Sequence, residues 1–319
     1  MTVAFTVIGG FLGAGKTTVV NHVLREVAGR RIAVLVNDFG ALNIDESLIA
    51  GRDGDTIALA NGCVCCSIAG GLIEALPPLL LRDPPFDHVI VEASGVADPR
   101  KVAQYGTLPG FRLDGVIVAA DAETIRALEA DCRIGAQVRT QLLGADVVVL
   151  TKCDLVGTAA LTELHEWLAE FVPGVPVLET VEGNIPLDVV LGPIDVGARQ
   201  MGGPAGDAAS GSHTGLYESA VFRSDALLER AAVDAFLAKL PDGLLRAKGL
   251  LMLASVPASM TVLHAVGRRS RLSDGGPWTS EDRTNRIVVI GLAGSLPAVR
   301  SAATELGFVE WPGTEESLA

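Results

Sequence analysis

Basic residues are scarce in this sequence. Its 319 residues include 25 lysines and arginines against 38 aspartates and glutamates, which gives a formal net charge of −13. Such a chain has no positive surplus with which to neutralise a phosphate backbone, so the composition argues against general nucleic-acid binding. The acidic surplus is compatible with the handling of cations, but such a surplus is more often only a solvated surface. Since 49% of the residues are hydrophobic, the chain can bury one large core or two smaller ones.

Charged residues are absent from residues 249–267. This segment is long enough to span a bilayer, but it is interrupted by Ser255, Pro257, Ser259, Thr261 and His264. We therefore predict two buried strands around a turn at Val256–Ser259, and no membrane association. The apolar residues 3–15 lack a preceding basic region, so no secretory signal is expected.

The sequence also lacks the cysteine pattern of a disulfide framework. Three of the five cysteines lie within Cys63–Cys66, and neighbours this close are poor disulfide partners. Together with the absent export signal, this favours a reduced, cytoplasmic setting. The cluster is interpreted as a metal or redox site instead.

Short apolar, β-branched runs alternate with helical stretches between residues 3 and 191. Near-continuous apolarity is typical of strands buried on both faces, so the pattern predicts an α/β fold with a mostly parallel sheet flanked by helices. The predicted strands are Val3–Ile8, Arg31–Val36, Thr56–Leu59, His88–Val91, Gly115–Ala119, Val147–Leu150 and Val175–Leu178.

Residues 192–215 are rich in Gly, Ala, Pro and Ser, a composition typical of a flexible linker. We assign residues 1–195 to the α/β domain, 196–215 to the linker and 216–319 to a small α+β domain with helices on one face of an antiparallel sheet. Its predicted strands are Leu216–Phe222, Gly249–Val256, Met260–Ala265 and Arg286–Leu292, and its predicted helices are Asp225–Lys239 and Leu296–Leu306.

Residues 10–17, Gly-Phe-Leu-Gly-Ala-Gly-Lys-Thr, fit the Walker A pattern of a P-loop and lie between a predicted strand and a predicted helix. The glycines let successive N–H groups point at phosphates, and the helix adds its positive N-terminal end. We expect Lys16 to bridge the β- and γ-phosphates and the Thr17 hydroxyl to bind Mg²⁺. The expected nucleotide contacts are Gly10, Gly13, Ala14, Gly15, Lys16, Thr17 and Thr18.

An acidic residue is expected at the end of a neighbouring strand, to complete the Mg²⁺ site. The sequence after His88–Val91 supplies it as Glu92, and Gly95 can approach the γ-phosphate through its N–H group.

Thr151-Lys152-Cys153-Asp154 follows a buried strand. One carboxylate, that of Asp154, can accept from both the N1–H and the 2-amino group of guanine, whereas adenine offers no such pair. Lys152 would lie along the base, and Thr151 stands where GTPases usually carry Asn. The loop Glu179–Gly183 is placed to close over the base. The pattern favours GTP over ATP.

Cys63 and Cys66 have the C-x₂-C spacing common in Zn²⁺ sites, and Cys65 can complete a three-sulfur face. No matching Cys or His pair supplies a fourth ligand, and Cys132 and Cys153 are isolated. An exchangeable site, suited to a carrier, is therefore predicted. Thiolates favour Zn²⁺ or Cu⁺ over Mg²⁺, but affinity order does not separate Zn²⁺ from Co²⁺ or Ni²⁺. Redox-active thiols and buried structural cysteines remain the alternatives.

The cysteines lie between Asn37–Asp45 and Glu92–Gly95, the two segments expected to sense the γ-phosphate. Such segments become ordered around γ-phosphate and Mg²⁺ and relax on hydrolysis. Nucleotide state is therefore expected to control metal binding.

Together these motifs resemble the CobW-type family of P-loop GTPases, in the CobW/HypB/UreG group, over nearly all of residues 1–190. More weakly, the C-terminal domain resembles that of the same family at Phe222-Arg223 and Arg246–Gly249. The matching N-terminal segments are Gly9–Thr18, Asn37–Gly40, Ile44–Asp45, Asn61–Cys66, Glu92–Pro99, Thr151–Leu155 and Glu179–Asn184.

The resemblance implies slow GTP hydrolysis coupled to delivery of Zn²⁺ or Co²⁺ to a client metalloprotein. On this basis Thr17 and Glu92 serve Mg²⁺, Asp45 orients the attacking water, and the thiolates hold the cargo; Lys16, Asp45 and Glu92 form the catalytic set. A homodimer that depends on nucleotide or metal is compatible with it. Many relatives carry a histidine-rich run, whereas the linker here holds only His213, which argues against metal storage by such a tract.

Two other functions compete with this hypothesis. A P-loop kinase or other ATP-dependent transferase would need an Arg-rich lid, and no Arg cluster is evident after Glu92. A thiol-based redox regulator would use the three clustered cysteines without metal.

Overall fold

The structure is a computed structural model that describes residues 2–27, 30–36, 68–192, 216–278 and 283–311. The chain divides into two compact units, Met1–Leu191 and Gly192–Ala319. Several predictions concern residues outside the described ranges, namely the strand Thr56–Leu59, the linker 196–215 with His213, the segment Asn37–Gly40, Asp45, Cys63, Cys65 and Cys66.

The first unit contains a six-stranded sheet with the order β2-β3-β1-β4-β5-β6. Every neighbouring pair is parallel, and β1, β2, β3 and β5 are buried along their whole length. The predicted parallel sheet is therefore confirmed. The strands are β1 (Val3–Gly9), β2 (Ile32–Val36), β3 (His88–Glu92), β4 (Phe111–Asp121), β5 (Val147–Thr151) and β6 (Val177–Glu179).

Helices connect these strands, as parallel neighbours require. They are α1 (Lys16–Glu26), α2 (Ile68–Leu80), α3 (Pro99–Ala103), α4 (Ile125–Ala130), α5 (Gly135–Leu142), α6 (Thr158–Phe171) and α7 (Leu187–Leu191), with short 3₁₀ turns at Gln104–Thr107 and Cys153–Leu155. Fully buried side chains such as Phe5, Leu76 and Leu168 join sheet and helices in one hydrophobic core.

The central strand β1 determines where a site can form. It pairs with β3 on one side and β4 on the other, with Ile8 beside Glu92 and Gly9 beside Val118. The chain runs from β1 to β2 on one side of β1 and later from β3 to β4 on its other side. Ligands of open α/β sheets bind outside the carboxyl ends of the strands, at the point where the strand order reverses in this way. The loops that leave β1, β3, β4 and β5 therefore meet at one edge of the sheet.

The second unit contains an antiparallel sheet with the order β10-β9-β8-β11-β7-β12. Apolar residues of four of its strands form a core with the two helices of this unit. The α+β prediction is confirmed. The elements are β7 (Tyr217–Ser224), α8 (Arg230–Ala238), β8 (Leu244–Met252), β9 (Ser259–Val266), β10 (Arg269–Pro277), β11 (Asn285–Leu292), α9 (Leu296–Glu305) and β12 (Val309–Glu310).

The uncharged segment 249–267 forms strands, as predicted. It contributes the end of β8 and the whole of β9, and the turn between them includes a hydrogen bond from Ser259 N to Val256 O of 3.0 Å. Across the ranges that the structure describes, no helix has the length and apolar character needed to cross a membrane.

Several details of the second unit differ from the sequence prediction. The strand β8 begins at Leu244 and not at Gly249, and the two-residue strand β12 was not predicted. The helix predicted from Asp225 begins at Arg230, because the backbone of Leu228 is engaged in a bridge with Leu253. The strand β10 was not predicted, because its sequence is polar and ends in Gly-Gly-Pro. It lies at an edge of the sheet, where polar residues and proline are tolerated.

Candidate nucleotide-binding site

The loop after β1 can adopt its shape only with glycine at defined positions. Gly10, Gly13 and Gly15 have φ angles of +132°, +76° and +82°. A Cβ on Gly10 would lie 2.2 Å from the Ala119 carbonyl oxygen, so this loop is packed directly on the backbone of β4. Gly15 is the N-cap of α1 and provides no side-chain cap, which leaves N–H groups at the helix start for an anion.

Lys16, the first residue of α1, is only 8% exposed. Its ammonium group donates a hydrogen bond of 3.1 Å to the Phe11 carbonyl, which also accepts from Ala14 N at 3.2 Å. The charge is therefore held over the loop whose N–H groups are expected to bind phosphate.

Thr17 and Glu92 are brought together from two elements. The Thr17 hydroxyl donates a hydrogen bond of 2.7 Å to Glu92 Oε1, and Glu92, the last residue of β3, is 2% exposed. A hydroxyl and a carboxylate are hard oxygen ligands, and Mg²⁺ in nucleotide sites uses one or two such groups together with the phosphates. The pair fits the Mg²⁺ ion that the sequence predicts.

Gly95 lies against the P-loop. A Cβ there would come within 2.6 Å of Leu12 Cδ2 and 2.9 Å of Leu12 N. The loop after β3 and the phosphate loop are therefore in van der Waals contact. This proximity is what the predicted role of Gly95 at the γ-phosphate requires.

Thr151 joins the strand β5 to the P-loop. It is 3% exposed, and its hydroxyl lies 3.0 Å from the Ala14 carbonyl and 3.3 Å from the Ala120 carbonyl. Thr151, which stands where GTPases usually carry Asn, thus connects the turn expected to contact the base with the loop expected to bind phosphate.

Lys152 has a strained backbone and an acidic partner. Its φ is +57°, and its ammonium group donates a 2.6 Å hydrogen bond to Asp121 Oδ2, whose side chain is 8% exposed. The other carboxylate oxygen of Asp121 accepts from Glu123 N at 2.9 Å. Sequence reasoning missed Asp121, although it follows a buried apolar strand in the same way as Glu92 does.

The remaining residues of this turn face different surroundings. Asp154 is exposed, as a group that contacts a base from solvent must be before binding. Cys153 is buried, its thiol donates to the Leu150 carbonyl, and burial raises the pKa of that thiol to about 11. Cys153 is therefore held as a neutral thiol in the core. Among the residues that the structure describes, no group of three or more His, Cys, Asp or Glu side chains could hold a metal.

The loop expected to close over the base packs on α1. A Cβ on Gly183 would lie 2.8 Å from the carbonyl carbon of Thr18, and the Thr180 hydroxyl donates to Asn184 O at 2.9 Å within the loop. Within the described ranges, Lys152 and Glu182 are the non-glycine residues with positive φ. Strained backbone of this kind concentrates at functional sites, and here it occurs in the two loops expected to flank the base.

Comparison with known proteins matches two families to this chain. Residues 4–179 match the family described as CobW/HypB/UreG, nucleotide-binding domain, and residues 217–302 match the cobalamin synthesis protein cobW C-terminal domain. The zinc chaperone CobW of Pseudomonas aeruginosa is 30% identical over 90% of this chain and 86% of that protein. The zinc chaperone CobW of a Sinorhizobium species is 29% identical over 94% of this chain and 96% of that protein.

Among solved structures, Zn(II)-bound YjiA GTPase from E. coli is 26% identical, with a TM-score of 0.45, over 96% of this chain and 99% of that chain. The family match spans more than half of the sequence and includes the P-loop, Glu92 and the Thr151–Lys152 turn. The chain belongs to the CobW/HypB/UreG family of P-loop GTPases.

Proposed function

We propose that this protein is a GTP-binding and GTP-hydrolysing metallochaperone. It binds a transition metal, zinc or alternatively cobalt, at Cys63, Cys65 and Cys66 and delivers it to a client metalloprotein. The observation that carries the proposal is the contact between Thr17 and Glu92, at the sheet edge where the Thr151–Lys152 turn also meets the P-loop. The relatives named as zinc chaperones support the choice of cargo.

Triphosphate binding uses the chain's own positive groups. The N–H groups of Gly13 to Thr18 and the start of α1 bind the phosphates, and Lys16 bridges the β- and γ-phosphates. Thr17 and Glu92 hold Mg²⁺, which neutralises charge on the phosphate oxygens when it is bound. Gly95, in the loop after β3, donates its N–H to the γ-phosphate.

Guanine is selected by the turn after β5. Asp154 accepts the N1–H and 2-amino hydrogens, and Lys152 lies along the base plane. An adenine base would leave the Asp154 carboxylate partly unpaired, which is a strong basis for discrimination. Thr151 holds this turn against the P-loop through Ala14, so base and phosphates are bound in one fixed relation.

Hydrolysis requires an oriented water molecule, since phosphoryl transfer depends on positioning and on charge stabilisation. We assign the orientation to Asp45, which accepts a hydrogen bond from the water as the water oxygen attacks the γ-phosphorus. The bond between the γ-phosphorus and the β,γ-bridging oxygen breaks, and inorganic phosphate leaves with the oxygen of the water, whose protons pass to the phosphate and to solvent. Lys16 stabilises the charge that GDP acquires.

The connection between nucleotide and metal follows from chain order. Val36, the last residue of β2, is the register partner of Glu92, and the chain from Val36 to α2 carries Asp45 and the three clustered cysteines. That segment therefore starts beside the Mg²⁺ ligand. We infer that GTP orders it and assembles the thiolate site, and that hydrolysis releases the metal to the client. Free thiolates require a reducing compartment such as the cytoplasm, and a homodimer dependent on nucleotide or metal is compatible with the scheme.

The test is the affinity for Zn²⁺ and Co²⁺ of the apo protein, the Mg·GDP form and a form with Mg²⁺ and a non-hydrolysable GTP analogue. We expect the analogue form to bind metal about 5- to 150-fold more tightly than the GDP form, the usual range of coupling between two sites. Cys66→Ala should abolish this difference. The matched control is Cys132→Ala, because Cys132 is exposed and isolated. Equal metal affinity in the two nucleotide forms of the wild type would contradict the proposal.

A further inference from the structure

Two glutamines of α5 hold the loop that follows β3. The Gln141 side-chain amide donates hydrogen bonds of 3.0 Å to the Gly95 carbonyl and 2.9 Å to the Ala97 carbonyl. Gln137, one helical turn earlier, donates to the carbonyl of Val96. Three consecutive backbone carbonyls of this loop are therefore bound by side chains of one helix.

The Gln141 contacts are costly to lose. Gln141 is 2% exposed, and its amide nitrogen has two hydrogens, one for each carbonyl. A buried carbonyl that loses its donor retains the full cost of having left water. The arrangement therefore restrains the loop more strongly than surface hydrogen bonds would.

The same loop contacts the P-loop on its other side. Gly95 lies against Leu12, so its peptide groups are held between α5 and the phosphate-binding backbone. The neighbouring Ser94 hydroxyl is 4% exposed and has no hydrogen-bond partner in the structure as described. Buried hydroxyls are rarely left in that state, which indicates that Ser94 is arranged for a group beyond the described residues.

We propose that Gln141, assisted by Gln137, is a positioning residue that orients Gly95 toward the γ-phosphate and so sets the preference for GTP over GDP. Glycine is the most flexible residue of the loop. Fixing its carbonyl restrains its ψ angle, and the packing against Leu12 restrains the same residue from the other side. The entropy that the loop loses on becoming ordered is then lost when the protein folds, and it does not weaken the binding of triphosphate. The inference rests on the proposed GTPase function and concerns the sensing of nucleotide state, not the metal.

The test compares Gln141→Met, which keeps length and apolar volume but removes both donors, with the wild type. Affinities for GDP and for guanosine 5′-(β,γ-imido)triphosphate are measured with Mg²⁺, together with kcat for GTP. We expect the analogue-to-GDP affinity ratio and kcat to fall about tenfold, while GDP affinity stays within about twofold. The control is Val138→Ala, a core position of the same helix that is 1% exposed; it should lower thermal stability and leave the ratio and kcat unchanged.

A merely structural role for Gln141 would give a different result. Equal loss of GDP and analogue affinity, or lower stability with an unchanged ratio, would overturn the proposal while the GTPase function stands. If Gln141→Met does not fold, Gln137→Met removes the half-buried donor to Val96, and an unchanged ratio in that variant would also overturn it. A wild type that neither binds nor hydrolyses GTP would instead refute the proposed function, and the role of Gln141 with it.

Discussion

The two strands beside β1 both end in a carboxylate, but the two carboxylates have different partners. Glu92 follows the buried residues of β3, and Asp121 follows those of β4. Glu92 accepts from the Thr17 hydroxyl at 2.7 Å, whereas Asp121 accepts from the Lys152 ammonium group at 2.6 Å. On the proposed function, Glu92 serves Mg²⁺ and the phosphates, and Asp121 holds the turn that binds the base. The strand position places a carboxylate at the site, but its partner decides what it does.

If Glu92 serves Mg²⁺ and Asp121 serves the base, removal of the Glu92 charge should lower GTP hydrolysis more than any other change. Glu92→Gln keeps the shape of the side chain but weakens the Mg²⁺ site, so we expect kcat for GTP to fall about 10²- to 10³-fold, as losses of transition-state charge stabilisation do. Hydrolysis is measured by phosphate release across a range of Mg²⁺ concentrations. Glu163→Gln is the matched control, since that carboxylate is 71% exposed. A Glu92→Gln variant with unchanged kcat would place the metal ligand elsewhere.

The glycines of the P-loop differ in their surroundings, so their replacement by alanine should lower the free energy of unfolding by different amounts. Gly10→Ala introduces a Cβ 2.2 Å from a backbone oxygen of β4 in addition to a left-handed backbone cost of about 1–2 kcal/mol. In Gly13→Ala the new Cβ meets nothing within 4 Å, so only the backbone cost applies. We expect the free energy of unfolding to fall by about 3 kcal/mol or more for Gly10→Ala and about 1–2 kcal/mol for Gly13→Ala. Urea denaturation of the apo protein measures both, and equal losses would show that the contact with β4 is relaxed in solution.

Selection of the base should depend on Asp121 and should not depend on Mg²⁺. Asp121→Asn removes the charge that holds Lys152 in its strained conformation, so we expect the GDP-to-ADP affinity ratio to fall about tenfold, equivalent to about 1.4 kcal/mol, with unchanged Mg²⁺ dependence. Fluorescent nucleotide titration measures the ratio. The matched control is Asp114→Asn, because Asp114 lies in the same strand and pairs with Arg112 at 2.7 Å, far along β4 from its carboxyl end. Equal ratios in both variants would remove Asp121 from base selection.

The sequence predicted the parallel sheet well because buried parallel strands are nearly continuous apolar runs. Glu92 was found because a P-loop creates the expectation of an acidic partner on a neighbouring strand. Asp121 was missed because its partner, Lys152, is thirty-one positions away in sequence, and the register of β4 against β5 brings them together. Gln141 was missed because its partners are backbone carbonyls distant in sequence, which no side-chain motif reveals.

Backbone pairing explains two of the errors in the prediction of the second unit. Leu228 has the apolar character of a helix position, but its backbone forms a bridge with Leu253, and the helix therefore starts at Arg230. The edge strand β10 has no apolar alternation because an edge strand buries little. In the first case a backbone bridge to a segment distant in sequence determined the local structure, and in the second a hairpin with β9 did so. A pattern of apolar residues contains neither kind of pairing.

The smallest expected effect is a change of stability with pH that arises from Cys153, in the turn after β5. Burial raises the pKa of its thiol from 9.0 to about 11, so between these pH values the unfolded chain loses this proton and the folded chain keeps it. Stability from Cys153 is therefore fully present below about pH 9 and is lost as pH rises toward 11, by about 1–2 kcal/mol. The difference in unfolding free energy between wild type and Cys153→Ala, measured from pH 8 to 10.5, should shrink accordingly. Cys132→Ala, at an exposed position, should show no such trend; a constant difference for Cys153→Ala would mean that the base-side turn opens to water.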